Sequence, residues 1–129
     1  MTTKLGISMP SSSPPVIDEE NIYYQVSFDN NKSYLYCVDK KNGSIIWKSD
    51  EYNYINAGSP LLSNGYLYVI QVDDDILYLR AVKTGTDQYE MVWEYELYNG
   101  ESGQHGLSSP MIYKDKLYHL TPSGLYIFD

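Results

Sequence analysis

The residues able to do chemistry in this chain are few and scattered. There is a single cysteine, Cys37, and there are two histidines, His105 and His119. A thiol nucleophile needs a neighbouring base, and no spacing in the sequence sets either histidine beside Cys37. The thiol falls between Tyr36 and Val38 in an apolar run, which predicts a small buried hydrophobe. One cysteine also excludes an internal disulfide. Asp73-Asp74-Asp75 offers several hard oxygens, as a calcium site would. It lacks the spaced ligands and the Glu of a calcium loop, and Asp29-Asn30-Asn31 stands at the equivalent turn. Both are expected to be solvated hairpin turns. His105 lies in Gly103-Gln104-His105-Gly106, with no second His or Cys close by to share a metal. His119 sits in a strand-like run and is expected to pack. No phosphate-cradling glycine loop, Ser or Cys nucleophile motif, or metal-spaced Cys/His pair is present. The chain is therefore expected to be non-catalytic, with no cofactor and no metal.

Composition narrows the partners. Nine basic residues stand against seventeen acidic ones, a formal charge of −8, and only one of the nine is arginine, Arg80. Nucleic acid needs clustered Lys and Arg to displace counterions, so the charge argues against it as a partner, and against an anionic membrane surface for the same reason. Residues 1–9 lack the continuous apolar stretch of a signal peptide, and no window is long enough to insert in a membrane. Fifteen tyrosines against two phenylalanines suit short strands whose side chains are half packed and half wet.

Three copies of one unit organise the chain. Ser13-Pro14-Pro15-Val16-Ile17 is echoed by Gly58-Ser59-Pro60-Leu61-Leu62 and by Ser108-Ser109-Pro110-Met111-Ile112. Each copy continues through a polar turn to an apolar-Tyr pair and then to a Leu-Tyr pair: Leu35-Tyr36, Leu77-Tyr78 and Leu125-Tyr126. Two copies go on to a Lys-x-Gly turn and a Trp, at Gly43 and Trp47 and at Gly85 and Trp93. Pro60 lies 45 residues after Pro15, and Pro110 lies 50 after Pro60. Self-similarity at such a period marks a repeat architecture. The apolar pattern is that of strands, at 16–17, 22–26, 34–38 and 45–47 in the first copy. The second repeats them at 60–62, 66–72, 76–82 and 91–95, and the third has only 110–113, 116–120 and 124–128. Residues 49–58 and 98–107 are expected to be loops between units. Tyr52, Tyr54, Tyr98 and His105 fall in these loops and are the candidate binding residues, because exposed loops often carry function.

The repeat resembles that of quinoprotein-like β-propellers, the pyrroloquinoline quinone repeat proteins and the outer-membrane assembly lipoproteins that share their blades. The first unit carries the pattern most fully, in Leu35-Tyr36-Cys37-Val38-Asp39, Lys41-Asn42-Gly43 and Ile45-Ile46-Trp47. The second has Ala81 where the first has Asp39, and the third stops at Asp129 before the Gly and the Trp. The resemblance implies an all-β fold of four-stranded antiparallel blades, here an incomplete ring. It divides the chain into an outer strand and lead-in over 1–11, blades over 12–57 and 58–106, and a partial blade over 107–129. It also implies that the Trp of each repeat packs between blades and that the Gly takes a positive φ in its turn. Trp47, Trp93, Gly43 and Gly85 are read in that way, together with Pro15, Pro60 and Pro110, as structural residues of the repeat. A quinone enzyme of this kind would need a catalytic Asp, a calcium-ligating Glu and Asn, and a flat aromatic beneath the quinone, none of which can be assigned to a residue here.

The expected function is a non-catalytic repeat module that binds a protein or a glycan, with part of a quinoprotein oxidoreductase as the alternative. Lys4-Leu5-Gly6-Ile7-Ser8-Met9 alternates as a half-buried strand does. It is expected to complete the third unit of a second copy, so that two chains form a six-bladed ring. The other possibility is that the missing strands belong to the rest of a larger chain, for which the resemblance implies an exported or periplasmic setting.

Overall fold

The computed structural model describes residues 11–12, 14–28, 32–55, 60–99, 110–121 and 124–129. They form thirteen strands in three antiparallel sheets, with no helix among the described residues.

The first sheet holds β1 (Ser11–Ser12), β2 (Val16–Ile17), β3 (Asn21–Phe28), β4 (Lys32–Asp39) and β5 (Ile45–Lys48). The second holds β6 (Tyr54–Ile55), β7 (Leu61–Ser63), β8 (Tyr66–Asp73), β9 (Ile76–Lys83) and β10 (Met91–Asn99). The third holds β11 (Met111–Tyr113), β12 (Lys116–Thr121) and β13 (Gly124–Phe128). In the first two sheets the inner position is shared by two short strands. β1 and β2 both pair with β3, and β6 and β7 both pair with β8. Pro15, Pro60 and Pro110 stand directly ahead of β2, β7 and β11. A residue without an N–H is at home at the start of an edge strand. Two stretches expected as loops are in part strand: Tyr54–Ile55 pairs with β8, and β10 runs on through Tyr98 to Asn99.

Turn chemistry sets the hairpins. Asp74 and Asp75 take φ of 51° and 61°, Lys114 and Asp115 take 49° and 66°, and Asn64 and Gly65 take 51° and 83°. Two successive positive φ values match the right-handed twist of the flanking strands, so Asp73-Asp74-Asp75 is a hairpin turn. Gly43 and Gly85 both sit at φ 75°, where a Cβ would be strained.

Each sheet has a rear face toward the preceding unit and a forward face toward the next. Forward side chains of the first sheet, Tyr23, Leu35, Cys37 and Trp47, pack on Leu67, Val69 and Val82 of the second. Forward side chains of the second, Ile70, Val72, Leu77, Leu79 and Leu97, pack on Leu117 of the third, with Ile112, Tyr126 and Phe128 against them. The middle sheet is thus covered on both faces, which explains why β8 reads as a nearly unbroken apolar run. On the rear face of the first sheet, Tyr24, Val26, Tyr36 and Val38 form a further buried cluster.

Candidate functional site

The two seams between sheets differ in chemistry. The first contains a buried polar chain. Tyr52 donates its hydroxyl to Gln25 Oε1 at 2.6 Å, and Gln71 Nε2 donates to the same oxygen at 3.1 Å. Arg80 donates to Gln71 Oε1 at 2.8 Å and to Glu94 Oε2 at 3.0 Å, and lies 3.7 Å from Asp73 Oδ2. Its guanidinium covers the Tyr78 ring at 4.4 Å. Gln25, Gln71 and Tyr52 are all buried, so each must find its partners inside the protein.

The second seam is aromatic and partly open. Phe128 meets Trp93 and Tyr95 edge-on at 5.6 and 4.9 Å, and the Tyr126 hydroxyl donates to the Leu97 carbonyl at 2.9 Å. Beside Trp93 opens a cleft of about 480 Å³, walled by Tyr66, Tyr68 and Phe128 and rimmed by Asn64, Asp115 and Lys116. Beyond it the third sheet presents its forward face. Met111, Tyr113, Leu125 and Ile127 are 63%, 60%, 59% and 54% exposed. Leu125 and Ile127 hold the repeat positions of Leu35 and Cys37 in the first sheet and of Leu77 and Leu79 in the second, all four buried.

The candidate residues of the sequence fall as follows. Tyr52 is buried in the first seam rather than displayed on a loop, because its backbone bridges to Ser33 and its hydroxyl is spent on Gln25. Tyr54 and Tyr98 belong to β6 and β10 rather than to loops. His105 lies outside the described residues, as does the alternating stretch 4–9. Trp47 is buried against Tyr23 and Tyr89, at ring separations of 6.1 and 5.5 Å. Trp93 departs from the expected buried position and is 38% exposed. Trp47 is covered by Tyr89, which the second sheet supplies just ahead of β10. Trp93 has only the edge of Phe128 from the third sheet, at 5.6 Å, and the rest of its ring borders the cleft. No spacing or periodicity marks Gln25, Gln71 and Tyr52 as a group, and Arg80 stands out in the sequence only as the one arginine.

Cys37 and buried His119 face the middle sheet from opposite sides, so they cannot act as a pair. Burial pushes the Cys37 thiol from 9.0 up to about 12. Burial also raises the phenols of Tyr23, Tyr24, Tyr36 and Tyr52 above 10.0. All are acids held neutral in the fold. Their contribution to stability is whole below the ordinary thiol and phenol values and is lost as pH climbs above them, where only the unfolded chain releases protons. The protein should therefore unfold in alkali with a late step of tyrosine ionisation coincident with loss of structure. At mildly alkaline pH a disulfide reagent should label Cys37 only in denaturant. Labelling of the native protein at the denatured rate would refute the burial.

No family model matches the sequence, and no curated protein matches it. Solved structures do. A chain of quinohemoprotein alcohol dehydrogenase from Pseudomonas putida HK5 aligns over 98% of this chain with a TM-score of 0.67 at 18% identity. The three sheets are β-propeller blades. This chain spans 20% of the length of that dehydrogenase chain, and at such identity the likeness concerns the fold. Blades 1, 2 and 3 follow the order of the sheets. Among the described residues the blades do not close into a ring, blade 3 carries three strands and its forward face is bare.

Proposed function

We propose that this chain is a non-catalytic propeller-repeat module that binds another protein through blade 3. The observation that carries this reading is the forward face of blade 3. Contiguous large apolar side chains on a surface mark interaction sites, and the same repeat positions in blades 1 and 2 are covered by the next blade. The partner should therefore present an apolar, blade-like surface. A second copy of this chain is the first such partner to test, since symmetric dimers are the commonest oligomers.

The test places a photo-crosslinking phenylalanine analogue at position 125 in the producing cell, with the same analogue at exposed Lys41 as control. A protein adduct from position 125 alone is the expected result, and light scattering of the purified protein then tells a second copy from a different partner. Adducts from neither position would overturn the reading. A glycan is the second ligand class to test, favoured by the exposed faces of Trp93 and Tyr66 beside the Asn64 amide. Saccharide binding at this cleft with no protein adduct would replace the protein. The alternative of a fragment of a quinoprotein oxidoreductase rests on the likeness to the dehydrogenase. It requires quinone uptake, visible as colour after incubation with pyrroloquinoline quinone and calcium.

A further inference from the structure

The two seams fill the space in front of a blade's tryptophan differently. In the first, Trp47 stands opposite Cys37 and the Tyr89 ring lies on it at 5.5 Å. In the second, Trp93 stands opposite Ala81, whose side chain ends at Cβ and leaves room. Phe128 meets the Trp93 ring at 5.6 Å and Tyr95 lies alongside at 6.3 Å, yet the indole keeps exposed surface on a cleft of about 480 Å³. A space of that size suits a small ligand.

Four rings wall the cleft, Tyr66, Tyr68 and Trp93 from the second sheet and Phe128 from the third. They do not stack on one another: Tyr66 and Tyr68 are inclined at 47°, Trp93 and Phe128 at 82°. An aromatic ring is negative on its face and draws in a cation held over it. The rim acts in the same direction. It carries the carboxylates of Asp115 and Asp129, and Lys116 is the one cation among the described lining residues. The Lys116 ammonium is bound to Asp129 at 3.1 Å, and neighbouring Lys114 lies over the Tyr113 ring at 5.4 Å, outside the cleft. Among the described residues no ion pair holds Asp115. Aromatic walls under a rim with one unneutralised carboxylate are complementary to a positive charge.

We propose that this cleft binds a small quaternary ammonium ion, its methyl groups against Trp93 and Tyr66 and its charge shared between the ring faces and Asp115. A bare ammonium is strongly hydrated and needs an acceptor for each N–H. A methylated one presents weakly hydrated surface that rings can cover. The cleft lies behind the third sheet, on the side away from Met111, Tyr113, Leu125 and Ile127. Such a ligand and a protein docked on the forward face therefore occupy different places. A saccharide in the same cleft would use the rings and the Asn64 amide, with no need of the charge at Asp115.

Choline is the probe, titrated into the intact protein with nitrogen-labelled tryptophan and followed by NMR. The chain has two tryptophans, so two indole N–H signals report, and Trp93→Phe assigns them. Choline should move the Trp93 signal along a saturable curve at millimolar concentration and leave that of buried Trp47 in place. The neutral isostere, with a tert-butyl group for the trimethylammonium, should bind about tenfold more weakly. Asp115→Asn should weaken choline several-fold and leave the neutral isostere unaffected. Asn tolerates the positive φ of 66° at this turn, so the fold is kept. Failure of the Trp93 signal to saturate, equal affinity for the neutral isostere, or indifference to Asp115→Asn would each overturn the site. A shift with maltose and none with choline would give the cleft to a saccharide and overturn it as well. Tighter binding of a trimethyllysine hexapeptide than of choline would uphold the site and place the ammonium group on a protein. The adduct from position 125 is read separately, so the protein-binding reading stands or falls without choline.

Discussion

Trp47→Ala should lower the stability of this protein by about 3–5 kcal/mol, the range for deleting a large aromatic from a packed interior. Trp47 is 5% exposed and sits in the cluster that joins blade 1 to blade 2. Removing it strips Tyr23 and Tyr89 of their ring contacts and leaves a cavity lined by sheets that cannot collapse independently. The indole Nε1 is buried with no hydrogen-bond partner among the described residues. The pocket therefore values the ring more than its N–H, and Trp47→Phe should cost far less than the alanine change. The equivalent change Trp93→Ala should fall well short of Trp47→Ala, since Trp93 already faces solvent in part. Urea denaturation of the three variants, compared by midpoint at unchanged slope, measures the ranking. Equal costs at positions 47 and 93 would mean that the seam beside Trp93 is closed in solution.

The contrast between those two tryptophans shows what could be read from the residues and what could not. The repeat, its strand order and the three strands of its third unit followed from Leu-Tyr pairs, turn residues and prolines at regular spacing. Those are local signals: strand alternation and turn chemistry act within a few residues. The split inner strand was not legible, because two-residue strands such as Tyr54–Ile55 are too short for any periodicity. The far end of β10 was missed because register shifts between Met91 and Trp93 and between Glu96 and Tyr98 break the alternation. Exposure at Trp93 depends on what stands in the next blade, which its own repeat does not encode. Tyr52 looked like a loop residue for the same reason. Only the approach of Gln25 from blade 1 and Gln71 from blade 2 turns its hydroxyl inward, and that approach is a property of the assembled blades.

Arg80→Ala should cost about 2–3 kcal/mol, the scale of a buried hydrogen bond to a charged group. Glu94 is 41% exposed, so water screens its share of the ion pair and holds the cost within that range. The larger loss is at Gln71. Its Oε1 accepts from Arg80, while its amide nitrogen is held by Gln25, which in turn is held by Tyr52. Without the guanidinium that oxygen stays buried with no other donor among the described residues. Arg80→Lys should recover only part of the loss, since one ammonium cannot serve Gln71 and Glu94 in the geometry of a planar fork. The acid side supplies a further check. Burial raises the Asp73 carboxyl and Arg80 opposes that rise. Ionised Asp73 is therefore costlier in the variant, and the penalty of Arg80→Ala should shrink as pH falls through the carboxylate range and the charge is neutralised. Differential urea melts of wild type and variant at neutral and acid pH give the result, and a penalty that grows on acidification would exclude this role. One seam of the protein is thus locked by a polar chain running from Tyr52 to Glu94. The other joins blade 2 to blade 3 through the Leu117 cluster and the Phe128 edge and keeps an open cleft beside Trp93, so partner binding is expected at blade 3 and not between blades 1 and 2.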